Sequence, residues 1–260
     1  MKNTIKNILR FFNFIIIKPK DTEEIKELKK SFIHNERSFL YCGIKYLVDC
    51  LSFEASPGIA ETILLELIAF KKNRKANENR LLNMGGGSGQ AALLYEKLGF
   101  DVYSLDLRAS SADKKNLYFD LNKDTPIPFD KKTFDVIICQ EVIEHVENPW
   151  KIFRNAKELL KDDGIFIIST PNVLSLQSKI MFIFTGYFKW FTPKDFDYHI
   201  NPIPEWEIKL IADKNNYDIY LTKGNGDYFL NRNNKNHKKM IRNNEILIFL
   251  FKNKNLNLKK

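Results

Sequence analysis

From Leu81 onward, short apolar segments alternate with amphipathic ones. A short apolar run bounded by turn residues is typical of a buried strand, and apolar positions three or four apart are typical of a helix. We predict helices near residues 89–98, 149–160 and 204–214. We predict strands near residues 81–84, 101–106, 117–119, 134–138, 164–169, 218–222 and 245–251. This alternation favours a mostly parallel sheet with helices on both faces, which binds ligands beyond the carboxyl ends of its strands.

The chain ahead of this alternation has a different pattern. Residues 21–78 carry apolar side chains at helical spacing, and we predict that this region is helical. Near the other end, Ile246–Phe251 is apolar at every position, so we expect this strand to be buried between two neighbours. The apolar runs at 8–17 and 180–191 are shorter than the roughly 20 residues that cross a bilayer, and we expect no membrane span.

The composition excludes several classes of protein and kinds of site. Hydrophobic residues make up 44% of the 260 positions, which rules out a wholly disordered chain. The three cysteines, Cys42, Cys50 and Cys139, are too few and too scattered for a disulfide framework or a zinc site. A reducing compartment is the simplest interpretation, and we therefore expect a cytoplasmic protein.

The net charge of +9 is concentrated at the two ends of the chain. Residues 1–20 hold five basic and no acidic residues, and residues 231–260 hold nine basic residues and one acidic residue. The body between them is mildly acidic, which argues against a nucleic-acid partner, because such proteins usually carry a basic patch on the folded body. Two interpretations of the ends stay open: solubilising tails, or peripheral contact with an anionic surface such as the inner face of a membrane.

A glycine-rich turn, Gly85-Gly86-Gly87-Ser88-Gly89, joins a predicted strand to the helix that follows it. Glycines let the backbone approach a ligand closely, and the helix start offers unpaired N–H groups and the positive end of its dipole. Asp106 ends the next predicted strand, where a carboxylate suits a ribose diol. The turn therefore predicts a nucleoside cofactor. Because Gly87-Ser88-Gly89-Gln90-Ala91-Ala92 also fits the dinucleotide fingerprint, nicotinamide dinucleotides stay open at this point.

The segment from Asp120 to Asn172 is more specific. It contains, in order, Asp120-Leu121-Asn122, an apolar strand ending near Ile138, then Gln140, Glu141, Glu144 and His145, a helix from Pro149, and the strand Ile165–Ser169 followed by Thr170-Pro171-Asn172. This order closely resembles the class I S-adenosylmethionine-dependent methyltransferases. It is similar in particular to the branch of ubiquinone-biosynthesis O-methyltransferases and bacterial cell-surface polysaccharide methyltransferases. The resemblance covers about residues 80–220.

The resemblance implies an overall organisation. The fold would be a Rossmann-like α/β fold, with a mostly parallel sheet of seven strands and helices on both faces. Residues 1–78 would form an N-terminal helical extension and cap, and residues 79–260 the cofactor-binding methyltransferase domain. An acceptor-binding or lid insertion would lie near residues 174–203.

The resemblance also implies S-adenosylmethionine as the cofactor and assigns residues to it. Asp106 would hold the ribose, and Asp120 would meet the adenine amino group. The chain departs from the family at Asn83, where an acid is usual; an amide can accept a hydrogen bond from the cofactor's ammonium but offers no opposite charge. The full predicted cofactor set is Asn83, Gly85, Gly87, Gly89, Asp106, Asp120, Leu121 and Gln140.

The residues after the fourth predicted strand lie where the resemblance implies that the cofactor's methyl group points. A histidine with a pKa near neutrality can take the proton of an acceptor hydroxyl, so His145 and the later His199 are candidate catalytic residues. Carboxylates and imidazoles can also hold a divalent ion such as Mg²⁺ or Mn²⁺. The candidate metal ligands are Glu141, Glu144, His145 and His199. A structural role at a helix start stays open for Glu144 and His145.

The predicted insertion is rich in aromatic residues between Leu174 and Tyr198, which suits an acceptor pocket or a lid. At this density of aromatic residues, packing of the side chains into the core is the default interpretation. With the following His199-Ile200-Asn201-Pro202, the segment resembles methyltransferases of capsule and lipopolysaccharide pathways. We therefore expect O-methylation of a cell-surface glycan or of its sugar-nucleotide precursor.

Two alternatives of the same fold stay open. An RNA 2′-O-methyltransferase is one, in which the basic ends of the chain would hold phosphates. The later histidine before a Glu-Trp helix start, here His199 before Glu205-Trp206, resembles small-RNA 2′-O-methyltransferases, in which it adds to the metal-binding set. A non-catalytic binding protein is the other, because of Asn83.

Overall fold

The computed structural model describes residues 38–41, 44–47, 59–72, 74, 79–87, 89–109, 115–225 and 244–254. Its helices are α1 (Ile59–Lys72), α2 (Gln90–Lys97), α3 (Pro149–Leu159), α4 (Leu176–Thr185) and α5 (Glu205–Lys214), with a 3₁₀ turn at Ile143–His145. Its strands are β1 (Ser38–Tyr41), β2 (Ile44–Leu47), β3 (Arg80–Met84), β4 (Asp101–Asp106), β5 (Asn116–Tyr118), β6 (Phe134–Gln140), β7 (Leu160–Pro171), β8 (Tyr217–Gly224) and β9 (Ile246–Asn253). Residues 1–20 and most of the basic C-terminal end lie outside the described residues.

Seven strands form one sheet in the order β5-β4-β3-β6-β7-β9-β8. The first five are parallel to one another, and β9 is antiparallel to both of its neighbours, β7 and β8. Strand addition reverses direction between β3 and β6, and at such a switch point the loops diverge and leave a crevice at the carboxyl ends of the strands. The glycine turn follows β3 and Gln140 ends β6, so both predicted features lie at this crevice.

Helices cover both faces of the sheet because successive residues of a buried strand point to opposite sides. On β6, Val136 and Ile138 belong to the buried cluster that includes residues of α1 and α2. Ile137 and Cys139 belong to the cluster that includes residues of α3 and α5. The expected seven-stranded, mostly parallel sheet with helices on both faces is confirmed. The expected burial of the last strand is also confirmed, because β9 lies between β7 and β8.

Helix α3 illustrates how local sequence and packing agree. Pro149 begins the helix, and the side chain of Asn148 accepts a hydrogen bond from the Lys151 N–H at its N-terminus. Its buried stripe consists of Ile152, Phe153, Ala156 and Leu159. The ring of Phe153 contacts those of Phe166, Tyr217 and Phe251, at centroid separations of 5.5, 6.1 and 5.3 Å.

Replacing Phe153 with alanine is expected to lower the free energy of unfolding by about 3–5 kcal/mol, because the three neighbouring rings cannot fill the cavity. Urea unfolding followed by circular dichroism measures this loss. The matched control is Phe184→Ala, since Phe184 is 62% exposed on α4. It should change the free energy of unfolding by less than about 0.5 kcal/mol. Equal losses for the two variants would contradict the described packing.

The prediction that residues 21–78 are helical is wrong at residues 38–41 and 44–47, and its residues 21–37, 42–43, 48–58, 73 and 75–78 lie outside the described residues. β1 and β2 pair as antiparallel strands there. The physical reason is visible in the sequence: two short runs with aromatic and β-branched residues are separated by only Cys42 and Gly43, a pattern typical of a hairpin. Helix α1 also falls in the predicted extension, and it packs against the sheet through Ile59, Ile63 and Leu67.

The interpretation of the 174–198 aromatics as core residues is wrong for most of them. Helix α4 buries only Ser178, because this helix lies on the surface and no element of the described residues covers its outer side. Of the aromatic side chains in the segment, Phe191 is buried. The exposed ones are Phe182, Phe184, Tyr187, Trp190, Phe196 and Tyr198. None of the helices described here combines the length and the apolar character that crossing a membrane requires.

Candidate active site

The glycine turn after β3 has the backbone geometry that the sequence predicts. Gly85, Gly87 and Gly89 have φ angles of +76°, +59° and +85°, in the left-handed region that favours glycine. The Gly85 N–H donates to the Leu105 carbonyl at 2.7 Å and so ties the turn to the end of β4. A Cβ at Gly85 would lie 2.2 Å from Cγ2 of Val142, so both the available space and the backbone conformation require glycine there.

Asp106 ends β4 directly beside the glycine turn. Its Oδ2 accepts a hydrogen bond from the Gly87 N–H and its Oδ1 accepts one from the Arg108 N–H, each at 2.7 Å. A carboxylate has about four lone-pair positions, so it can still accept hydrogen bonds from a ribose diol. The Arg108 guanidinium lies close to Gly87, where a Cβ would be 2.9 Å from Nη2. Sequence reasoning missed Arg108, whose only signal is its position two residues after Asp106.

A row of polar side chains crosses the sheet next to the glycine turn. Asn83, Ser104 and Asn116 are directly paired on β3, β4 and β5 and therefore share one face of the sheet. Asn83 and Ser104 are almost completely buried. Among the described residues, Ser104 Oγ and Asn116 Oδ1 are buried polar atoms without a hydrogen-bond partner. Such atoms are costly to leave unpaired, so this row fits the polar groups of a ligand bound over the turn.

The remaining predicted cofactor residues, Asp120, Leu121 and Gln140, lie at the same end of the sheet as the glycine turn. One of them, Leu121, is buried in the core. Asp120 follows β5, and its Oδ1 accepts a hydrogen bond from the Asn122 N–H at 3.0 Å, which orders the turn. Leu121 is 8% exposed and packs into the core on the α3 side. Gln140 ends β6, and its Oε1 lies 3.5 Å from the Tyr95 hydroxyl of α2.

Glu141 follows β6 with a φ of +51°, an uncommon conformation for a residue other than glycine. Its N–H donates to the carbonyl oxygen and to the hydroxyl of Ser169, at 3.2 and 3.0 Å. The Ser169 hydroxyl in turn donates to Glu141 Oε1 at 2.8 Å. Burial raises the pKa of Glu141 to about 7. Backbone strain of this kind clusters at functional sites.

Glu144 lies in the 3₁₀ turn and is completely buried. Its Oε2 accepts a hydrogen bond from the Thr170 hydroxyl at 3.1 Å, whereas its Oε1 has no hydrogen-bond partner. Burial, and secondly the nearby Glu141, raise the pKa of Glu144 well above its ordinary value. A buried carboxylate with a free oxygen is costly unless a proton or a cation accompanies it.

The two raised pKa values predict that this pair destabilises the fold as the pH rises. An acid whose folded pKa exceeds its unfolded pKa stabilises the fold fully below the unfolded value, and that stabilisation is lost as the pH rises through the folded value. For Glu141 this window runs from pH 4.5 to about 7. The expected loss is about 3 kcal/mol in the free energy of unfolding.

Urea unfolding between pH 4.5 and 8, with a chelator present, measures this loss. The variant Glu141→Gln lacks the titrating group and should show a clearly shallower decline. Identical pH profiles for the variant and the unaltered protein would contradict the raised pKa of Glu141.

His145 and His199 come together from distant parts of the chain, with ring centroids 4.8 Å apart. Nδ1 of His145 lies 2.7 Å from the Tyr198 carbonyl oxygen, and Nδ1 of His199 lies 2.6 Å from the Trp190 carbonyl oxygen. A carbonyl oxygen only accepts hydrogen bonds, so both Nδ1 atoms carry a proton, and in a neutral imidazole the lone pair is then on Nε2. Burial lowers the pKa of His145, and the charge of the second imidazole adds to the shift. His145 is therefore neutral at pH 7.

Glu144, His145 and His199 form a group that could hold a metal ion, with one ligand atom from each within 4.8 Å of the others. A carboxylate oxygen and two imidazole nitrogens are suitable donors for a divalent ion. The Glu144 oxygen without a hydrogen-bond partner fits such an ion, and each imidazole offers one nitrogen to it. The structure does not bring Glu141, the fourth predicted ligand, into this group, since its carboxylate bonds to Ser169.

Comparison with known proteins decides the family. A family model described as a methyltransferase domain matches residues 58–222, more than half of the chain. The chain belongs to this methyltransferase family. The cofactor of the family is S-adenosylmethionine, and the family therefore decides against the nicotinamide dinucleotide that the glycine turn alone left open. The predicted family and cofactor are confirmed, and the roles of the individual site residues stay predictions.

Two curated relatives of the methyltransferase share the name ubiquinone biosynthesis O-methyltransferase. The one from Rickettsia typhi is 30% identical over 154 residues, which cover 56% of this chain and 62% of that protein. The one from Rickettsia canadensis is 25% identical over 250 residues, which cover 92% of this chain and 98% of that protein. In the first of these matches the chain thus spans about six-tenths of the relative's length.

The methyltransferase also resembles solved structures. A crystal structure of an S-adenosylmethionine-dependent methyltransferase from Archaeoglobus fulgidus matches with a TM-score of 0.50 at 16% sequence identity. The match covers 79% of this chain and 98% of that one. At this identity the likeness supports the fold alone, and it agrees with the strand order of the seven-stranded sheet.

Proposed function

We propose that this methyltransferase transfers the methyl group of S-adenosylmethionine to an acceptor oxygen. The observation that carries the proposal is that the imidazoles of His145 and His199 meet the buried Glu144 at the carboxyl end of β6. Bound S-adenosylmethionine supplies an electrophilic methyl group on a sulfonium. The glycine turn, Asp106 and the polar row through Asn83 would bind it.

The histidine pair would supply the base that the acceptor needs. An imidazole nitrogen of His145 or His199 would accept the hydroxyl proton as the acceptor oxygen bonds to the methyl carbon, while the carbon–sulfur bond breaks and S-adenosylhomocysteine leaves. The carbonyl oxygens of Tyr198 and Trp190 accept hydrogen bonds from the two Nδ1–H groups and so orient both rings. The same carbonyl groups stabilise the positive charge that the protonated imidazole gains.

A divalent ion is a second way to activate the same hydroxyl. Glu144 Oε1 and the Nε2 atoms of His145 and His199 would hold it, and it would supply Lewis acidity that lowers the pKa of the hydroxyl. Two imidazoles with one carboxylate suit Mn²⁺ better than Mg²⁺, which prefers oxygen ligands. If extensive chelation leaves turnover unchanged, the metal proposal is wrong and the base proposal stands.

The proposed acceptor is an oxygen of a cell-surface glycan or of its precursor. Trp190 and Tyr198 are joined to the histidine pair through their carbonyl groups, and their side chains are exposed. Aromatic faces can pack on the C–H faces of sugars, so exposed rings beside the reacting group support a sugar acceptor.

A ring hydroxyl of a quinone precursor is the second candidate, favoured by the name of the two curated relatives. Phe182, Ile183 and Phe184 on α4 are exposed, and an apolar surface near the site would suit an acceptor with a hydrocarbon chain. Peripheral contact with the inner face of a membrane, through the basic ends of the chain, would fit either a lipid-linked glycan precursor or this second acceptor.

A screen with methyl-labelled S-adenosylmethionine tests the proposal. Its arms are sugar nucleotides, lipid-linked glycans, a hydroxylated phenol with a prenyl chain, and RNA, each with Mn²⁺, Mg²⁺ or a chelator. Label in a glycan arm, lost in His199→Ala, supports the glycan acceptor. Label only in the phenol arm moves the assignment to the second candidate. Label only in RNA, or in no arm although the cofactor binds, overturns the proposal.

A further inference from the structure

The segment that carries His199 joins the segment that carries His145 through main-chain hydrogen bonds. The N–H groups of Ile200 and Asn201 both donate to the Glu144 carbonyl oxygen, each at 3.0 Å. A second hydrogen bond has its donor on the 3₁₀ turn and its acceptor on the loop, because the His145 imidazole bonds to the Tyr198 carbonyl. The imidazole pair therefore depends on how the loop ahead of α5 sits on the 3₁₀ turn.

Asn201 contributes the side chain that completes this attachment. While its main-chain N–H donates to the Glu144 carbonyl, its side-chain Nδ2 donates to the Val146 carbonyl. The two acceptors belong to the residues immediately before and after His145. Asn201 thus holds the backbone on both sides of His145, and it lies only two residues after His199.

Little apolar burial holds the loop that carries His199, whose first part is tied by Lys189 to Ser178 and Glu245. Between the end of α4 and the start of α5, residues 186–204, only Phe191 and Ile203 have buried side chains. Most of the other side chains of this loop are exposed or half-buried. With so little apolar burial, a polar contact to the 3₁₀ turn has a large share in setting the position of the loop.

We propose that Asn201 is a positioning residue that sets the spacing and orientation of the two imidazoles. It does so by donating its Nδ2–H to the Val146 carbonyl, and it touches neither cofactor nor acceptor. This inference rests on the proposed function, in which those imidazoles form the reacting end. It predicts that the side-chain donor, rather than the size of the residue, is what matters.

The test compares three variants of the full chain. Asn201→Ala removes the side chain, and Asn201→Asp keeps its size but has no N–H donor. The control is Asn215→Ala, because Asn215 makes the same kind of bond, from Nδ2 to the Ile211 carbonyl at 2.8 Å, away from the histidine pair. The affinity for S-adenosylhomocysteine, which should be unchanged in all three, reports that each variant is folded.

The first readout is the ¹⁵N NMR spectrum of the histidine rings in metal-free protein. The chain has four histidines, so the ring signals can be assigned with single His→Ala variants. In the unaltered protein, His145 and His199 should both appear as the Nδ1–H tautomer. In both Asn201 variants the His145 ring should shift towards the Nε2–H tautomer, because its bond to the Tyr198 carbonyl joins the turn to the loop, and in Asn215→Ala it should not. Unchanged ring signals in both Asn201 variants would overturn the proposal.

The second readout is the binding of Mn²⁺ alone, followed by the electron paramagnetic resonance of the free ion. Both Asn201 variants should bind Mn²⁺ at least about tenfold more weakly than the unaltered protein, as is usual when residues that orient metal ligands are lost. Unaltered Mn²⁺ affinity in both variants would also count against Asn201. If the unaltered protein itself binds no Mn²⁺, the metal proposal has failed, and the ring spectra alone decide the role of Asn201.

Discussion

Replacing His199 with alanine is expected to lower the rate of methyl transfer at least about 100-fold and to leave the affinity for S-adenosylhomocysteine almost unchanged. The imidazole lies beside His145 and bonds to the Trp190 carbonyl, whereas Gly87 and Arg108 bond to Asp106, so its loss removes the proton acceptor without touching those contacts. Rates of label transfer to the acceptor found in the screen, together with calorimetric titration of S-adenosylhomocysteine, measure the two quantities separately.

A second variant and their combination make this prediction sharper. His145→Ala should show a similar loss, and the double variant should be little worse than either single one, because groups that act as a unit lose their contributions together. A fully active His199→Ala or His145→Ala protein would end the assignment of that histidine. Loss of cofactor affinity along with the rate would mean that the pair has a structural role.

Asp106→Asn is expected to weaken the binding of S-adenosylhomocysteine about 100-fold. Both carboxylate oxygens accept backbone N–H groups, from Gly87 and from Arg108, and an amide has only one oxygen to offer. The substitution therefore costs a charge-assisted hydrogen bond of about 1.5–3 kcal/mol within the turn, and it also removes the charge that would hold the ribose.

The control for this prediction lies on the same strand. Asp101 begins β4 at the opposite end of the sheet, where it pairs with Lys115 at 2.8 Å, so Asp101→Asn should leave the cofactor affinity unchanged. Calorimetry on both variants distinguishes the two positions. Wild-type affinity in Asp106→Asn, or equal weakening in the two variants, would contradict the placement of the cofactor.

The cofactor end of the molecule could be predicted because its signals are local in sequence. The strand before the glycine turn, the turn itself and Asp106 are contiguous patterns, and a parallel sheet brings strand ends together whatever the details of packing. The buried position of β9 was also predictable from a contiguous signal, its run of apolar residues. Arg108 was missed because a charged residue in a loop has no periodic signal.

The residues proposed to carry the reaction, Glu141, Glu144, His145 and His199, could be predicted from the sequence. Their positions relative to one another could not. Nothing in the sequence indicates the left-handed backbone of Glu141, or that its carboxylate accepts a hydrogen bond from Ser169. The tautomers of the two histidines depend on carbonyl groups of Trp190 and Tyr198, which any residue at those positions would supply. Such contacts arise from the meeting of separate loops.

The region before β3 and the insertion after β7 were harder to predict from the sequence, for a different reason. In residues 38–47, weak helical spacing competes with a short hairpin pattern, and pairing between strands decides the outcome. In α4, apolar side chains indicate burial by composition, yet the helix exposes Phe182, Ile183 and Phe184. Only the position of a helix relative to the sheet determines whether its apolar face is covered.

The position of S-adenosylhomocysteine in a crystal structure of the complex shows whether the histidine pair can reach the transferred methyl group. We expect the ribose on the Asp106 carboxylate, the amino-acid part over the glycine turn, and the sulfur facing the side of the crevice where the imidazoles of His145 and His199 lie. A ligand whose sulfur faces away from the two histidines, or a crevice closed to the ligand at millimolar concentration, would contradict this expectation.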